Sequence, residues 1–399
     1  MKRLVFIALV SSVIGACANN EEINENEGFA STEVELSAEG AVAKSPFVTN
    51  DQNGRPVVSW VEGEKEDAYL FYVRWDEAAN GFGAPVKVEV TKGLAAHHES
   101  MPKVAFKEDG TAYVVYQVKE SSPTNRFASA LYYSFSTDEK TWSTPHYLHS
   151  DTSSGIGRSF FDLAVLPNGE LGAIWLDGRK RQRNGSTLMF AKTTRDHSFA
   201  TDIEIAQKTC QCCRTDIYVD DSETLHVAFR DIIHDSIRDM VHLVSSNNGE
   251  TFSEPRRISE DNWVLDGCPH TGPSMASNSK GLHFFWFTAG GGDGVYTTST
   301  RDGGEHFASR TLINPHARHP QVISTKNEDL VLVWDETFKT DSAYLDRIGF
   351  RRGDNPVEYI SKETTNSDHP VLTELPNGGI VVVWVESNNG KSSIRYRVM

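Results

Sequence analysis

Residues 327–336 read Asn-Glu-Asp-Leu-Val-Leu-Val-Trp-Asp-Glu, and this stretch decides the fold. It starts with turn-forming residues, continues as a run of four aliphatic side chains, and ends on Trp334 followed by two acids. A short apolar run that is bounded by turn residues and lacks helical spacing is typical of a buried β-strand. The stretch therefore predicts one strand of a sheet.

The same pattern recurs along the chain: a turn, an apolar run, an aromatic residue and then an acidic or polar residue. The other copies are NGRPVVSWVE (53–62), DGTAYVVYQV (109–118), NGELGAIWLD (168–177), SETLHVAFRD (222–231), KGLHFFWFT (280–288) and NGGIVVVWVE (377–386). Across all seven copies, including the one at Trp334, successive aromatic residues are 56, 59, 54, 57, 48 and 50 residues apart. A repeat of about 50 residues is the size of a propeller blade. We predict an all-β chain, a seven-bladed β-propeller of four-stranded blades; the alternative is a six-bladed ring with one pseudo-repeat.

The two ends of the chain predict how the ring closes. The last repeat stops at Met399 after its third strand, whereas residues 31–37 (STEVELS) form a strand-like segment before the first blade. Because an unpaired edge exposes backbone donors and acceptors, we expect residues 31–37 to pair with residues 394–398 and complete the last blade.

Composition excludes one class of function. The 399 residues include 39 Lys and Arg against 55 Asp and Glu, for a formal net charge of −16. Phosphate contacts need a clustered basic surface, and no long basic run is present. We therefore expect no nucleic-acid partner.

The first residues have the pattern of an export signal. Two cations are followed by an apolar run, and small residues precede Cys17, which resembles the lipobox of bacterial lipoproteins. We predict a signal peptide over 1–16, a lipidated Cys17 with a flexible acidic tether over 17–30, and a propeller over 31–399. The protein would then be exported and anchored in the cell envelope, with the outer membrane as the expected location. The alternative is an ordinary secretory signal that is cleaved nearby.

Four turns between third and fourth strands carry a family resemblance. Residues 245–252 (SSNNGETF) and 300–307 (TRDGGEHF) resemble Asp-boxes, and 136–142 and 194–199 are shorter or degenerate copies. In such turns, Asx and Ser side chains bond the turn backbone and Gly adopts positive φ. The chain is identified by them as similar to the sialidase-like BNR-repeat propellers, over essentially the whole mature length.

That resemblance implies a sialidase site only if the family's catalytic groups are present. They comprise three Arg on the sugar carboxylate, an Asp acid/base and a Tyr–Glu pair. The family's Arg-Ile-Pro motif is absent, and no convincing Tyr–Glu pair is visible. Five arginines could form the clamp: Arg158, Arg214, Arg230, Arg238 and Arg318. An exo-acting glycoside hydrolase on acidic sugars is therefore the alternative function.

Unusual residue types concentrate in the segments expected on one face around the propeller axis. Structural turns favour Gly, Asn, Ser and Pro, yet these segments are rich in His, Arg, Cys and acids. We predict a ligand-binding face, with the candidates His98, Glu99, Arg158, Asp177, Arg214, Arg230, Asp231, Arg318, His319 and His369.

The cysteines suggest what this face binds. Cys210, Cys212 and Cys213 precede one innermost strand, and Cys268 and His270 precede the next, so we expect all five near the axis. Thiolate and imidazole ligands select soft or borderline metals. These five residues are candidate ligands of a thiophilic metal, copper or zinc. The alternative is two disulfides, because exported thiols are commonly paired.

Three functions stay open from the sequence. The first is a metal-binding or redox protein, not a standard sialidase, and the second is the glycosidase above. The third is a scaffold whose propeller binds a protein partner. The expected partners are the membrane, through the lipid anchor, and a small-molecule, glycan or protein ligand at the axis.

Overall fold

The computed structural model describes residues 33–120, 122–180, 185–341 and 343–399. The predicted signal peptide, Cys17 and the tether lie outside the described residues. Within the part that is described, no helix is long and apolar enough to cross a membrane.

The described residues form strands with two short 3-10 turns, Lys65–Asp67 and Glu89–Thr91. The strands are β1 (Val34–Glu35), β2 (Ala43–Asn50), β3 (Pro56–Glu62), β4 (Tyr69–Asp76), β5 (Gly81–Phe82), β6 (Val86–Val88), β7 (Lys103–Phe106), β8 (Ala112–Lys119), β9 (Ser129–Ser136), β10 (His146–Tyr147), β11 (Arg158–Val165), β12 (Leu171–Asp177), β13 (Ser186–Lys192), β14 (Ile203–Thr209), β15 (Asp216–Val219), β16 (Leu225–Arg230), β17 (Met240–Ser245), β18 (Arg256–Arg257), β19 (Ser274–Asn278), β20 (Gly281–Thr288), β21 (Gly294–Thr300), β22 (Thr311–Asn314), β23 (Ala317–Ser324), β24 (Leu330–Lys339), β25 (Tyr344–Arg352), β26 (Glu358–Tyr359), β27 (Asn366–Glu374), β28 (Ile380–Asn388) and β29 (Lys391–Val398).

In the described chain these strands build seven antiparallel sheets, which confirms the predicted seven-bladed propeller. The first blade has a fifth strand, because both β5 and β6 pair with β4. The innermost strands are β2, β7, β11, β15, β19, β23 and β27, and each contacts its neighbours around the ring. They therefore line the axis.

The ring closes through the two ends of the chain, as predicted. Val34 of β1 pairs with Tyr396 of β29, and Glu35 pairs with Arg395. The closure continues past the ladder, since the Leu36 amide donates to the Ile394 carbonyl at 2.8 Å. The seventh blade is thus made from both ends of the propeller.

The core lies between blades. Val331 and Val333 pack toward the seventh blade with Trp384, whereas Leu332 and Trp334 pack toward the fifth with Phe285. Because successive strand residues point to opposite faces, one apolar run supplies two interfaces. This explains why the repeats lack polar alternation.

The four Asp-box turns hold themselves together locally. Asn247 Oδ1 accepts the Thr251 amide at 3.0 Å, and Asp302 Oδ1 accepts the His306 amide at 3.0 Å. They lie between the third and fourth strands of blades two to five, so they support the fold and do not face the axis.

Candidate functional site

Four of the innermost strands have an unusual backbone conformation near their starts. In four blades a β-bulge interrupts the innermost strand. The corresponding residues are Ser45, Phe160, His319 and His369, with φ between 47° and 58°. Non-glycine residues in this left-handed region are strained and cluster at functional sites. Two of the four positions are the predicted ligands His319 and His369.

Carboxylates hold both of these histidines. His319 Nδ1 donates to Asp335 Oδ2 at 2.7 Å, and His369 Nδ1 donates to Asp368 Oδ1 at 2.7 Å. Asp335 Oδ2 also accepts the backbone amide of His369 at 2.9 Å. Asp335 therefore links blades six and seven, and Nε2 of each ring takes no part in these carboxylate bonds.

A buried carboxylate from the second blade completes this group. One ligand atom from each of Glu99, His319 and His369 lies within 4.8 Å of the others. Glu99 is 1% exposed; Oε1 accepts Arg214 Nη1 at 3.2 Å, and Oε2 is buried without a hydrogen-bond partner. Such an atom is costly unless an ion or water satisfies it.

A second group shares His369. Ligand atoms of His98, Asp368 and His369 also lie within 4.8 Å of one another. The His98 ring centroid is 4.5 Å from that of His369, and His98 Nδ1 is buried without a partner. We call His98, Glu99, His319, Asp368 and His369 the axial cluster.

The space within the axial cluster is small. A cavity of about 10 Å³ is lined by four of its members together with Arg214, Met101 and neighbouring strand residues. That is roughly the space of a single water, so it suits an ion and cannot enclose a sugar ring.

Two histidines of the axial cluster, His98 and His319, have different pKa values. Burial, with the neighbouring His369 next, lowers the pKa of His98 to about 4, so this ring is neutral. Burial also acts to lower the pKa of His319, but Asp335 outweighs it and raises that pKa to about 9. Burial opposes ionisation of Asp335, yet His319 holds its pKa below the usual value.

Two further histidines lie beside the cluster. The ring centroids of His97 and His270 are 5.4 Å apart, and His97 is 5.5 Å from Phe160. His97 Nδ1 accepts the amide of Glu99 at 3.1 Å. His270 thus joins His97 from across the axis and is not grouped with the cysteines.

A charged layer that the sequence reasoning missed lies next to the cluster. Lys103 Nζ donates to the Phe161 carbonyl at 2.8 Å and is 3.7 Å from Asp162 Oδ1. Burial lowers the pKa of Lys103 to about 8, whereas burial and then Asp162 raise the pKa of Asp216 to about 8. Lys103 and Asp216 each begin an innermost strand whose other residues are uncharged, and that placement is the signal that could have identified them.

The cysteines do not line the axis as a group of five. Cys210, Cys212 and Cys213 lie together in the apolar core between blades three and four. Cys268 is exposed and is not among the ligand atoms close to these three. The expectation of five ligands in one place fails because residues 210–213 turn away from the strand direction.

Within this cysteine trio, the thiols influence one another strongly. Cys210 Sγ is 3.7 Å from Cys212 Sγ and 3.6 Å from Cys213 Sγ. The S–H groups of Cys212 and Cys213, followed by Arg230 and Arg238, hold the pKa of Cys210 well below its usual range. Burial in the apolar core raises the pKa of Cys213 to about 12.

The predicted arginine clamp is not assembled. Arg214 reaches the axis, but its Nη2 also donates to the Pro320 carbonyl at 3.0 Å. Arg158 Nε donates to Asp177 at 3.2 Å within blade three, and Arg230 Nη2 donates to the Phe287 carbonyl at 2.8 Å. Arg318 is exposed, with its guanidinium 5.2 Å from the ring centroid of Phe287.

The acidic candidates outside the axial cluster have structural partners. Asp177 Oδ2 accepts the Trp175 indole at 3.1 Å, just as Glu336 Oε2 accepts Trp334 at 3.3 Å. In these two blades, and in the first blade with Trp60 and Glu62, the acid two residues after the repeat tryptophan anchors its indole. Asp231 lies beside the cysteine trio, and burial raises its pKa to about 6.

The fold and the sequence together define the class of protein. Residues 54–263, more than half of the chain, match the BNR repeat-like domain family. The chain belongs to this family and is a sialidase-like BNR-repeat propeller.

Solved structures with the same fold differ widely in sequence. An ulvan lyase of polysaccharide lyase family PL25 is 11% identical in sequence and has a TM-score of 0.57. The match covers 91% of this chain and 95% of the lyase chain. A protein of unknown function from Dyadobacter fermentans is 14% identical (92% and 97% covered, TM-score 0.54). The Hadza microbial sialidase Hz136 is 15% identical (86% and 76%, TM-score 0.52). No curated protein matches the chain. At these identities the likeness establishes the fold alone.

Proposed function

We propose that the chain is a metal-binding propeller protein whose axial cluster holds one divalent transition-metal ion. The observation that carries this proposal is the pair of carboxylate-held histidines. Asp335 and Asp368 each accept a ring Nδ1–H at 2.7 Å, and one ligand atom from each of His319, His369 and Glu99 lies within 4.8 Å of the others. Metal-ligating histidines almost always donate their other ring N–H to such an oxygen.

The donor set indicates which metals fit. Glu99, His319 and His369 offer one carboxylate and two imidazoles, with His98 adjoining. Imidazole with carboxylate suits Zn(II), Cu(II) and Fe(II) better than calcium or magnesium. Copper and zinc thus remain the expected metals, with histidine ligands in place of cysteine. An ion would also satisfy the buried lone pairs of Glu99 Oε2 and His98 Nδ1.

The position of the cluster favours an open centre over a closed structural one. The side chains of His319 and His369 are 17% and 19% exposed, and that of Asp368 is 20% exposed. Catalytic metal sites keep a position for water or substrate, whereas structural sites are closed. A bound ion there would supply Lewis acidity or an activated water to a ligand at the propeller axis.

Metal binding by the full chain tests the proposal. The protein should be produced without a histidine tag, stripped with a chelator and titrated with Zn²⁺ by calorimetry and elemental analysis. We expect about one ion bound at the axial cluster, and loss of at least about tenfold in affinity in His369→Ala and Glu99→Gln. His306→Ala is the matched control, since His306 is exposed in an Asp-box turn beside Asp302.

Two results would contradict the proposal. One is an affinity in the folded His369→Ala and Glu99→Gln variants equal to that of the wild type. The other is the absence of any stoichiometric ion in the folded wild-type chain. Circular dichroism of every variant separates loss of the site from loss of the fold.

The glycosidase alternative has weaker support from the contacts. A sialidase clamp needs converging guanidiniums, but Arg158 and Arg230 are occupied elsewhere and Arg214 bonds Glu99. Release of sugar from a fluorogenic sialoside by the wild-type protein would favour this alternative. A chain that neither binds metal nor cleaves the sialoside would be left as a protein-binding scaffold.

Export and anchoring remain proposals based on the sequence. We propose that Cys17 is lipidated after cleavage and that the propeller is displayed in the cell envelope, with the outer membrane as the expected location. Intact-mass spectrometry of the membrane-extracted protein should show a lipid that is lost in Cys17→Ser. A wild-type mature chain without lipid would contradict this.

A further inference from the structure

The cysteine trio is buried and forms a group of ligand atoms separate from the axial cluster. Cys210, Cys212 and Cys213 are 1%, 5% and 1% exposed, between the end of β14 at Thr209 and the start of β15 at Asp216. In the core between blades three and four they pack against aliphatic and aromatic side chains, with Arg238 as a polar neighbour. Three thiols in one buried place exceed what packing requires, because for packing alone a thiol serves only as a small apolar group.

The sulfur separations suit a shared ion better than a bond. Cys210 Sγ lies 3.7 and 3.6 Å from the other two sulfurs, against about 2.0 Å in a disulfide. Thiolates held about 2.3 Å from one metal ion are about 3.8–4.0 Å apart in tetrahedral or trigonal geometry. The trio needs only small adjustments to surround an ion.

Two buried arginines supply positive charge at this place. Arg238 Nη1 donates to Cys210 Sγ at 3.1 Å, and Arg230 Nη1 donates to the Arg238 carbonyl at 2.9 Å. Both guanidiniums also interact electrostatically with Cys210. The nearby Asp231 carboxylate interacts with Lys208, which offsets its charge.

We propose that Cys210, Cys212 and Cys213 bind one Cu(I) ion as a closed three-thiolate site, separate from the axial cluster. Thiolates are the soft ligands that select Cu(I). Three thiolates and Cu(I) carry a net charge of −2, which the two guanidiniums balance. Each thiol that enters as S–H releases its proton to solvent.

Coordination number favours Cu(I) over zinc here. Structural zinc sites almost always have four protein ligands. Among the described residues, the group of mutually close ligand atoms contains these three cysteines and no histidine or carboxylate. Because the three cysteines are at most 5% exposed, no solvent-facing position is left for a fourth ligand.

Anaerobic titration of the full chain tests the site. Reduced, metal-free protein should take Cu(I) from a chromogenic Cu(I) chelator at one ion per chain, and X-ray absorption should show sulfur ligands only. We expect Cys212→Ser to lose this ion, whereas Cys268→Ser keeps it because Cys268 is exposed and outside the trio. His369→Ala should also keep Cu(I), which separates this site from the axial one.

Measurements on the wild-type chain are enough to contradict a three-thiolate site, so the test does not depend on whether a variant folds. Nitrogen or oxygen ligands in the absorption spectrum of the Cu(I)-loaded wild type would exclude a three-thiolate site. A disulfide from Cys210 to either neighbour, found by non-reducing mass spectrometry of protein isolated from its native compartment, would also contradict it. Zinc displacing Cu(I) from the trio would do the same.

Discussion

His319 and His369 owe their geometry to a shared acid. Asp335 bonds the ring of His319 at 2.7 Å and the backbone amide of His369 at 2.9 Å, while both histidines have φ near 50°. The left-handed conformation costs a non-glycine residue roughly 1–2 kcal/mol. We infer that Asp335 offsets part of this cost and orients both rings, which makes it a positioning residue.

Asp335→Asn tests that role. The amide can still accept a hydrogen bond, but it lacks the charge that raises the pKa of His319 and strengthens Nε2 as a ligand. We expect zinc affinity to fall about 10–100-fold, measured by calorimetry on the tag-free protein. Asp354→Asn, in an exposed turn, is the control and should bind as the wild type does. Equal affinities in the two variants would refute the positioning role.

A buried histidine pair away from the axis predicts sensitivity to acid. His242 is 2% exposed and contacts His226 at 3.0 Å, and burial, with His226 second, lowers its pKa to about 3. An unfolded chain has a histidine pKa of about 6.5. The unfolded state therefore takes a proton first, so stability is intact above pH 6.5 and is lost as the pH falls.

His242→Phe should remove this loss. Its ring would pack against Phe284, whose centroid is 5.0 Å from that of His242. At pH 5 the wild-type histidine costs about 2 kcal/mol relative to pH 7, and the variant should lack that increment in denaturant unfolding at both pH values. His306→Ala should keep the wild-type dependence. An unchanged pH slope in His242→Phe would show that another group is responsible.

At the scale of the element, a repeat strand packs against both neighbouring blades, and in three blades it ends on a tryptophan anchored by the following acid. Trp60 donates to Glu62 at 2.8 Å in the first blade, as Trp175 does to Asp177 in the third. This repeated pattern of turn, apolar run, aromatic residue and acid explains why the strands, the turns and the number of blades could be predicted from the sequence. The same pattern gives Asp177, a predicted ligand, a structural partner, because its carboxylate accepts the Trp175 indole.

The strand that closes the ring, β1, can be tested by deletion because it lies at the start of the propeller. Deleting residues 29–38 removes the β1 ladder, the Leu36 amide bond to Ile394 and the bond from the Ile394 amide to Ser37 Oγ at 3.0 Å. At about 1 kcal/mol per bond, the free energy of unfolding should fall by about 3 kcal/mol or more. Deleting residues 18–28 instead should change little. Equal stabilities of the two deletion proteins would contradict closure by β1.

At the scale of the whole molecule, the axial cluster is a product of ring geometry. Glu99, Arg214 and His369 come from three blades and meet only because seven innermost strands surround one axis. The sequence could predict that unusual residues lie on this face, since blade position fixes the face. It could not predict which of them touch, because the turns before each innermost strand differ in length and direction. Residues 210–213 illustrate this, since they bury their thiols between blades and not at the axis.

Anomalous diffraction from crystals of the full chain grown with stoichiometric zinc tests the central claim most directly. Data collected above and below the zinc edge locate the ion without reference to activity. The account predicts one strong peak on the propeller axis, bonded to Glu99 and to the Nε2 atoms of His319 and His369. Zinc found only on the surface or at the cysteine trio, with the axial side chains ordered and bare, would contradict it.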